Sequence, residues 1–181
     1  PISQLSLGEL RSQFAYVPQE PFLFSTTIAA NIALGRPEAS REEIERVARI
    51  ACVHDDISRF PKGYETEVGE KGVTLSGGQK QRLAIARALL LDAPILVLDD
   101  ALSAVDAHTE QQILLALKVH KRTLVLVSHR MTAVEQADEI LVLEQGAISE
   151  RGRHETLMAR NGWYADMVRY QRLEQDVEES L

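Results

Sequence analysis

Polar groups that could bind a metal ion or move a proton follow two apolar runs in the second half of the sequence. Ile95–Leu98 is followed by Asp99 and Asp100, and Leu124–Val127 is followed by a serine and His129. A carboxylate at a strand end can hold magnesium on a nucleotide, and a second carboxylate can orient or deprotonate an attacking water. A solvated loop carboxylate and a structural histidine are the alternative interpretations of these residues.

Two glycines and a serine, Ser76, Gly77 and Gly78, precede a predicted helix. Backbone N–H groups at the start of a helix, together with the helix dipole, can bind a phosphate. A capped helix start without a ligand is the alternative. Gln19, which follows Val17 and a proline, has an amide oxygen that could join a magnesium shell or hold a water.

Strands alternate with helices in the second half, which predicts a parallel sheet with right-handed crossovers. In such a sheet, ligands bind beyond the carboxyl ends of the strands, where Asp99, Asp100 and His129 are expected. The run Ile95–Leu98 lacks polar alternation, as in a strand buried on both faces, and we expect the run Leu124–Val127 to be a buried strand as well. The predicted elements are helices over 77–91, 106–118 and around 133–134, strands over 95–98, 124–127 and 140–143, and a hairpin turn at 144–146.

The N-terminal half has a different pattern. A strand-like run, Phe14–Val17, ends at a proline, and Ser40 with Glu43 forms a capping box ahead of apolar residues at helical spacing. We expect a small helical subdomain here that ends near Gly63.

Composition restricts the functional class. The 181 residues carry a formal net charge of -7, which argues against a nucleic-acid surface. The single cysteine, Cys52, favours a reducing compartment and a buried structural role. The longest uncharged run contains polar residues, so we expect no membrane span. We also expect that the sequence begins inside a domain.

Taken in order, five segments resemble the motifs of the ATP-binding cassette (ABC) ATPases. The sequence Leu-Ser-Gly-Gly-Gln ahead of a long helix is very specific to that family, and the resemblance extends from about Leu7 to Tyr170. The similar segments are 17–19 (Q-loop), 75–82 (signature motif), 95–100 (Walker B), 103–106 (D-loop) and 128–130 (switch-histidine loop).

Two further segments resemble the export-type branch. Glu67–Gly72 is similar to a short exporter loop, and Phe22–Asn31 is similar to the exporter segment that faces the transmembrane domains. Trp163, Met167 and Tyr170 fit exporter C-termini and fit ordinary helix packing equally well.

The resemblance implies an α/β fold: a P-loop NTPase (RecA-like) parallel sheet, truncated at its N-terminus, with an inserted α-helical subdomain. It also implies four parts. These are 1–20 (end of a core segment and Q-loop), 21–90 (helical subdomain with the signature), 91–160 (core with Walker B, D-loop and switch histidine) and 161–181 (C-terminal helix and acidic tail).

In this family two cassettes pair head to tail around two ATP molecules, with Mg2+ as the second cofactor. The resemblance implies that the γ-phosphate of the partner's nucleotide is bound by Ser76, Gly77, Gly78 and Gln79. Magnesium in this chain's own site would be bound by Asp99 and Gln19, and catalysis would involve Asp100, His129 and Gln19, with His129 in contact with the γ-phosphate. Asp106 would serve communication across the dimer.

The sequence departs from the family pattern at two points. The phosphate-binding Gly-x-x-x-x-Gly-Lys-Ser/Thr is absent, so we expect a fragment that binds ATP weakly or not at all alone. Asp100 stands where the family usually has glutamate, and a shift of about 1 Å can cost on the order of a hundredfold in rate. A slow site in a heterodimer with a different half-transporter is therefore our hypothesis.

The favoured function is an ATPase motor that drives export, with multidrug- or lipid-like cargo, at the cytoplasmic face of the plasma (inner) membrane. Its expected partners are a second ABC ATPase domain and the transmembrane domains, which contact the segment around Phe22–Asn31; no nucleic acid is expected. The alternatives are a regulatory half that clamps the dimer without turnover, which Asp100 favours, and a soluble ABC ATPase of DNA repair or translation. The negative charge and the exporter-like segments disfavour the last.

Overall fold

The computed structural model describes residues 2–69, 73–119 and 122–179, which divide into two compact units at Val127/Ser128. The first unit contains the strands β1 (Phe14–Val17), β2 (Ile95–Asp99) and β3 (Thr123–Val127). Its helices are α1 (Leu7–Ser12), α2 (Ile28–Ile32), α3 (Arg41–Ile50), α4 (His54–Ser58), α5 (Gly77–Leu90) and α6 (Ala107–Lys118), with single 3₁₀ turns at Ile2–Gln4, Ala33–Gly35 and Gly63–Glu65. The second unit contains α7 (Met131–Val134), β4 (Ile140–Glu144), β5 (Ala147–Gly152), α8 (His154–Arg160) and α9 (Trp163–Glu179).

The three strands of the first unit form a parallel sheet in the order β1-β2-β3. Val17 is paired with Leu98 and Asp99 with Val127, so all three strands end at the same edge. The α/β class with a parallel sheet, predicted from the sequence, is confirmed.

Helix α5 packs against β1 and forms the centre of the first unit together with α2 and α3. Ser76 caps the helix: its Oγ accepts from the Gln79 amide at 3.2 Å, and its own amide donates to Oε1 of Gln79 at 3.0 Å. This is a capping box, which satisfies two backbone donors at the helix start. The apolar residues of α5 that lie in the core are Leu83, Ala84, Ile85, Ala86, Ala88, Leu89 and Leu90.

The predicted helical subdomain contains α3, and the capping box of Ser40 and Glu43 forms there as expected. Ile44, Val47 and Ala48 of this helix are buried. Of the predicted exporter loop 67–72, Glu67 is bridged to Thr27, while residues 70–72 lie outside the described residues.

The prediction that both apolar runs form buried strands is wrong in part. In β2, Ile95 and Val97 are only partly buried. Strand β3 forms, but Val125 is 44% exposed and Val127 is 48% exposed. Phe14 and Tyr16 of β1 lie on the same face and are 40% and 56% exposed. The reason is that α5 covers the opposite face, where Leu96 and its neighbours in β1 are buried, and no described element of the first unit buries this one.

The second unit has its own small core around Leu157, Tyr164 and Val168. The predicted hairpin joins β4 to β5, and Gln145 and Gly146 at its turn have φ angles of 49° and 80°, as a type I′ turn requires. In α9, Trp163 is 45% exposed. Among the described helices, none has the length and apolar character needed to cross a bilayer.

Candidate active site

Two predicted site residues from separate strands lie in direct contact. Gln19 follows β1 and Asp100 follows β2, and the Gln19 Nε2 donates a hydrogen bond to Asp100 Oδ2 at 2.9 Å. The parallel pairing of β1 with β2 brings these loops together. Because Gln19 donates through its nitrogen, its amide oxygen Oε1 is directed away from Asp100 and is the atom able to act as a ligand.

Asp99, the last residue of β2, is held from the same face of the sheet by a residue that the sequence analysis did not select. The Tyr16 hydroxyl donates to Asp99 Oδ2 at 2.8 Å, and this hydrogen bond raises the pKa of Tyr16. The position of Tyr16 in the sequence could have indicated this role, since Tyr16 is three residues before Gln19 on a strand that pairs with β2.

Asp100 has a left-handed backbone, with φ of 48°. Aspartate and asparagine adopt this conformation more readily than other non-glycine residues. The Asp100 amide donates to the Val127 carbonyl at 2.9 Å, which extends the β2–β3 ladder by one bond. The turn therefore directs the Asp100 carboxylate out of the sheet edge and towards Gln19.

The loop after Asp100 is tied to α5 by Gln81, which the sequence analysis also did not select as a site residue. Its Nε2 donates to the Gln19 carbonyl at 3.2 Å and to Ser103 Oγ at 3.1 Å, and its Oε1 accepts from the Ala104 amide at 2.9 Å. The sequence does not indicate this role for a helical glutamine, because the partners of Gln81 lie 22, 23 and 62 positions away along the chain.

The start of α5 packs directly against the same loop. A Cβ atom on Gly78 would lie 2.7 Å from the Ala104 carbonyl oxygen, and one on Gly77 would lie 3.3 Å from the Ala104 Cβ. Glycine at Gly78 is therefore needed for the close approach of two backbones. The first intrahelical bond runs from Lys80 to Ser76, so the amides of both glycines precede it and can bind an anion.

Two contacts fix the α5 start from the helical subdomain. Asp56 of α4 accepts from Gln79 Nε2 at 3.4 Å and forms an ion pair with Arg82 Nη1 at 2.8 Å. Both members of the ion pair are largely buried, with 25% and 16% of their side chains exposed. Asp56 was not selected from the sequence, because a carboxylate in a short helix is usually solvated.

Asp106, predicted to serve communication across a dimer, caps α6. Its Oδ1 accepts from the Thr109 amide at 2.9 Å, and hydrogen bonds from the amide and then the hydroxyl of Thr109 lower the pKa of Asp106. The side chain is exposed, so this capping role and an intermolecular role are compatible.

His129 belongs to the second unit, two residues beyond the end of β3, and is exposed. Its carbonyl accepts from Gln171 Nε2 at 2.7 Å, and Gln171 Oε1 in turn accepts from the Met131 amide at 2.9 Å. The backbone around His129 is thus held by α9 of its own unit. The first unit brings Gln19, Asp99 and Asp100 together.

The donor set at the end of β2 fits magnesium. Asp99 offers a carboxylate and Gln19 an amide oxygen, which are the hard oxygen ligands that Mg2+ prefers. The described residues contain no cluster of three or more histidine, cysteine or acidic side chains placed to hold a metal alone. In proteins Mg2+ usually keeps several waters and binds through one or two carboxylates and substrate phosphates.

A family model described as "ABC transporter" matches residues 1–103. The chain is 58% identical over 176 residues to the multidrug resistance-like ATP-binding protein MdlA of Escherichia coli (strain K12), which covers 96% of this chain and 30% of that protein. It is 51% identical over 172 residues to the ATP-dependent lipid A-core flippase of Chromohalobacter salexigens, with 94% of this chain and 30% of that protein covered.

A solved structure of a bacterial Atm1-family ABC exporter with ATP bound superposes with a TM-score of 0.89 at 46% sequence identity. The superposition covers 94% of this chain and 30% of that chain. The chain thus spans about 30% of the length of the relatives that it matches. With a family model matched over more than half of its residues, this chain belongs to the ABC transporter family.

Proposed function

We propose that the chain forms most of one ATP-hydrolysing domain of an ABC exporter, and that hydrolysis there drives export of a multidrug- or lipid-like substrate. The observation that carries this proposal is the contact of Gln19 with Asp100 beside Asp99 at one end of the sheet. Three oxygen-bearing side chains at that edge suit a metal–phosphate complex and an attacking water. Two relatives whose names are multidrug resistance-like ATP-binding protein and ATP-dependent lipid A-core flippase support the substrate class.

Each residue has a distinct task in the proposed reaction. Asp99 and the amide oxygen of Gln19 would hold Mg2+, and this ion would supply positive charge to the phosphates of the nucleotide. Asp100 orients and deprotonates the attacking water, and its own position is set by the hydrogen bond from Gln19. His129 contacts the γ-phosphate. Catalysis is then mainly positioning and charge stabilisation.

A second ABC ATPase domain completes the active site. The amides of Gly77 and Gly78 with Ser76 and Gln79, at the positive end of α5, bind the γ-phosphate of the nucleotide held by the partner. Asp100 is one methylene shorter than the glutamate that the family resemblance implies. We therefore favour a heterodimer in which the site of this chain is slow and the partner has the faster site.

The transmembrane domains dock on a groove of about 250 Å3 beside the Gln19 loop. Its lining includes Tyr16, Phe22, Phe24, Arg87 and Leu91. Phe22 is 68% exposed and Phe24 is 45% exposed, and the two rings contact each other edge to face with centroids 4.9 Å apart. Such an exposed aromatic pair suits an apolar side chain of a partner helix. This docking places the domain at the cytoplasmic face of the membrane.

The test uses the full-length transporter, assembled with its partner half in lipid. We expect Mg2+-dependent ATP hydrolysis and substrate transport, and we expect Asp100→Glu to raise the ATPase rate. Asp100→Asn, which retains the shape and the left-handed preference but lacks the charge, is the matched control. Absence of any gain with Asp100→Glu, or full activity of a homodimer, would remove the heterodimer proposal. Absence of Mg2+-dependent hydrolysis in the assembled protein would remove the motor proposal.

Asp100 also favours a second candidate, a regulatory half that binds nucleotide and clamps the dimer without turnover. The two functions differ in the fate of ATP at this site. Trapping of labelled ATP, followed by assignment of the product to each half, distinguishes them. Intact ATP retained at the site of this chain through several turnovers of the pair would favour the regulatory half, and labelled ADP there would favour the motor.

A further inference from the structure

Gln81 is a buried polar side chain with every hydrogen-bonding group engaged. It is 4% exposed, in the second turn of α5. Its two N–H donors are directed at the Gln19 carbonyl and Ser103 Oγ, and its carbonyl oxygen accepts from the Ala104 amide. A buried amide satisfied in this way can fix neighbouring segments relative to one another.

The segments that Gln81 joins are the two that carry the Gln19–Asp100 contact. On one side it holds the backbone of Gln19 itself. On the other side it holds Ser103, whose Oγ donates to the Asp100 carbonyl at 2.9 Å. One amide anchored in a long helix is therefore linked to the Gln19 backbone directly and to the Asp100 backbone through Ser103.

The chemistry at this position admits few substitutes. Glutamate lacks the N–H donors and would direct a carboxylate at the Gln19 carbonyl. Methionine has a similar length and volume but neither donates nor accepts well. Asparagine is one methylene too short to reach both loops from the same helix position.

We propose that Gln81 is a positioning residue for the hydrolytic step: it holds Gln19 and Asp100 at their working separation and transmits a shift of α5 to both. This inference rests on the proposed ATPase function. The start of α5 is the proposed binding element for the partner's nucleotide, so Gln81 links closure on that nucleotide to the geometry at Asp100.

The experiment compares Gln81→Met with Gln111→Met in the full-length transporter, since Gln111 is exposed on α6. To isolate the site of this chain, the partner half carries a catalytically inactive site. We expect Gln81→Met to lower kcat on the order of tenfold to a hundredfold and to leave the KM for ATP unchanged. Hydrogen exchange at the Ala104 amide should accelerate in Gln81→Met. Gln111→Met should change neither kcat nor this exchange rate.

Ser103→Ala is a second variant at an exposed position, which removes only one link of the network. We expect it to lower kcat by less than Gln81→Met at unchanged KM. Unchanged kcat in both variants, or a loss of ATP binding equal to the loss of rate, would overturn the role of Gln81. Failure of the unsubstituted transporter to hydrolyse ATP would instead count against the proposed function.

Discussion

The side chain of Gln19 donates a hydrogen bond to the carboxylate of Asp100 across 2.9 Å, although the residues are 81 positions apart. The contact exists because β1 and β2 are neighbours in the sheet and end at the same edge. The proposed magnesium ligand Gln19 is therefore hydrogen-bonded directly to the proposed catalytic carboxylate of Asp100.

Removal of the Gln19 amide should weaken metal binding. In Gln19→Leu, we expect the affinity for Mn2+ in the presence of nucleotide to fall by about tenfold, as for other groups that order a metal site. Electron paramagnetic resonance of bound Mn2+ in the assembled transporter measures this directly. Gln111→Leu is the control, and an unchanged Mn2+ affinity in Gln19→Leu would exclude Gln19 as a ligand.

The two signature glycines should differ in their tolerance of a methyl group. Gly78→Ala would force a Cβ to within 2.7 Å of the Ala104 carbonyl oxygen, so the loop or the helix must move. We expect a local destabilisation of about 1–3 kcal/mol, measured by native-state hydrogen exchange of the α5 amides. Gly77→Ala is the matched comparison, because its Cβ would meet only the Ala104 methyl group at 3.3 Å. Equal effects of the two changes would contradict the close backbone approach.

Arg87 holds the backbone of the segment that carries the aromatic residues of the groove. Its guanidinium donates to the Phe22 carbonyl at 3.0 Å, and to the carbonyl and side-chain oxygen of Asn31 at 2.8 and 3.1 Å. In Arg87→Met these three acceptors, two of them on the buried Asn31, lose a charged donor, and we expect a local cost of about 3 kcal/mol. Faster hydrogen exchange in α2 would report it.

The exposed Arg46 offers the matched control for that change, as Arg46→Met removes the same charge from the surface of α3. We expect exchange in α2 to be unaffected by it. Protection of α2 that survives in Arg87→Met would show that the groove is held by packing alone.

Two buried tyrosines should make the protein sensitive to alkali. Tyr64 OH lies 2.8 Å from His54 Nδ1, and Tyr164 OH lies 2.9 Å from His154 Nδ1. Burial is the main cause that raises the pKa of each tyrosine to about 12, whereas an unfolded tyrosine has a pKa of about 10. The folded state therefore retains these protons longer, so stability is fully present below about pH 10 and falls between about pH 10 and 12.

Tyrosinate absorbance recorded during an alkaline titration tests this. We expect Tyr64 and Tyr164 to titrate last among the tyrosines, together with loss of structure. Tyr64→Phe should make the fall in the free energy of unfolding over that pH range less steep. Simple titration of all tyrosines near pH 10, with the structure intact, would contradict the prediction.

Features decided by local interactions could be predicted from the sequence. The predicted capping box at Ser40 formed because Glu43 is three residues away, and the hairpin formed because Gln145 and Gly146 accept positive φ angles. The parallel sheet followed from the alternation of strands and helices. The strand order could not be predicted from the sequence. The contact of Gln19 with Asp100 could not be predicted either, because it depends on that order.

Contacts between distant residues were the part that sequence reasoning missed. Gln81, Tyr16 and Asp56 gain their importance from partners that only the folded chain brings near. The exposure of Val125 was also missed, because an apolar run does not show whether one face or both will be covered. The roles of Ser76, Asp99, Asp106 and His129 toward nucleotide and partner stay predictions.

The uncovered face of the sheet has a practical consequence. Phe14, Tyr16, Val125 and Val127 present apolar surface on the same face of the two outer strands, with β2 between them, and water-exposed patches of this kind promote aggregation. A preparation of these 181 residues alone should therefore scatter light at concentrations where the whole transporter in lipid stays dispersed. Charged substitutions at Val125 and Val127 should restore solubility to the short polypeptide.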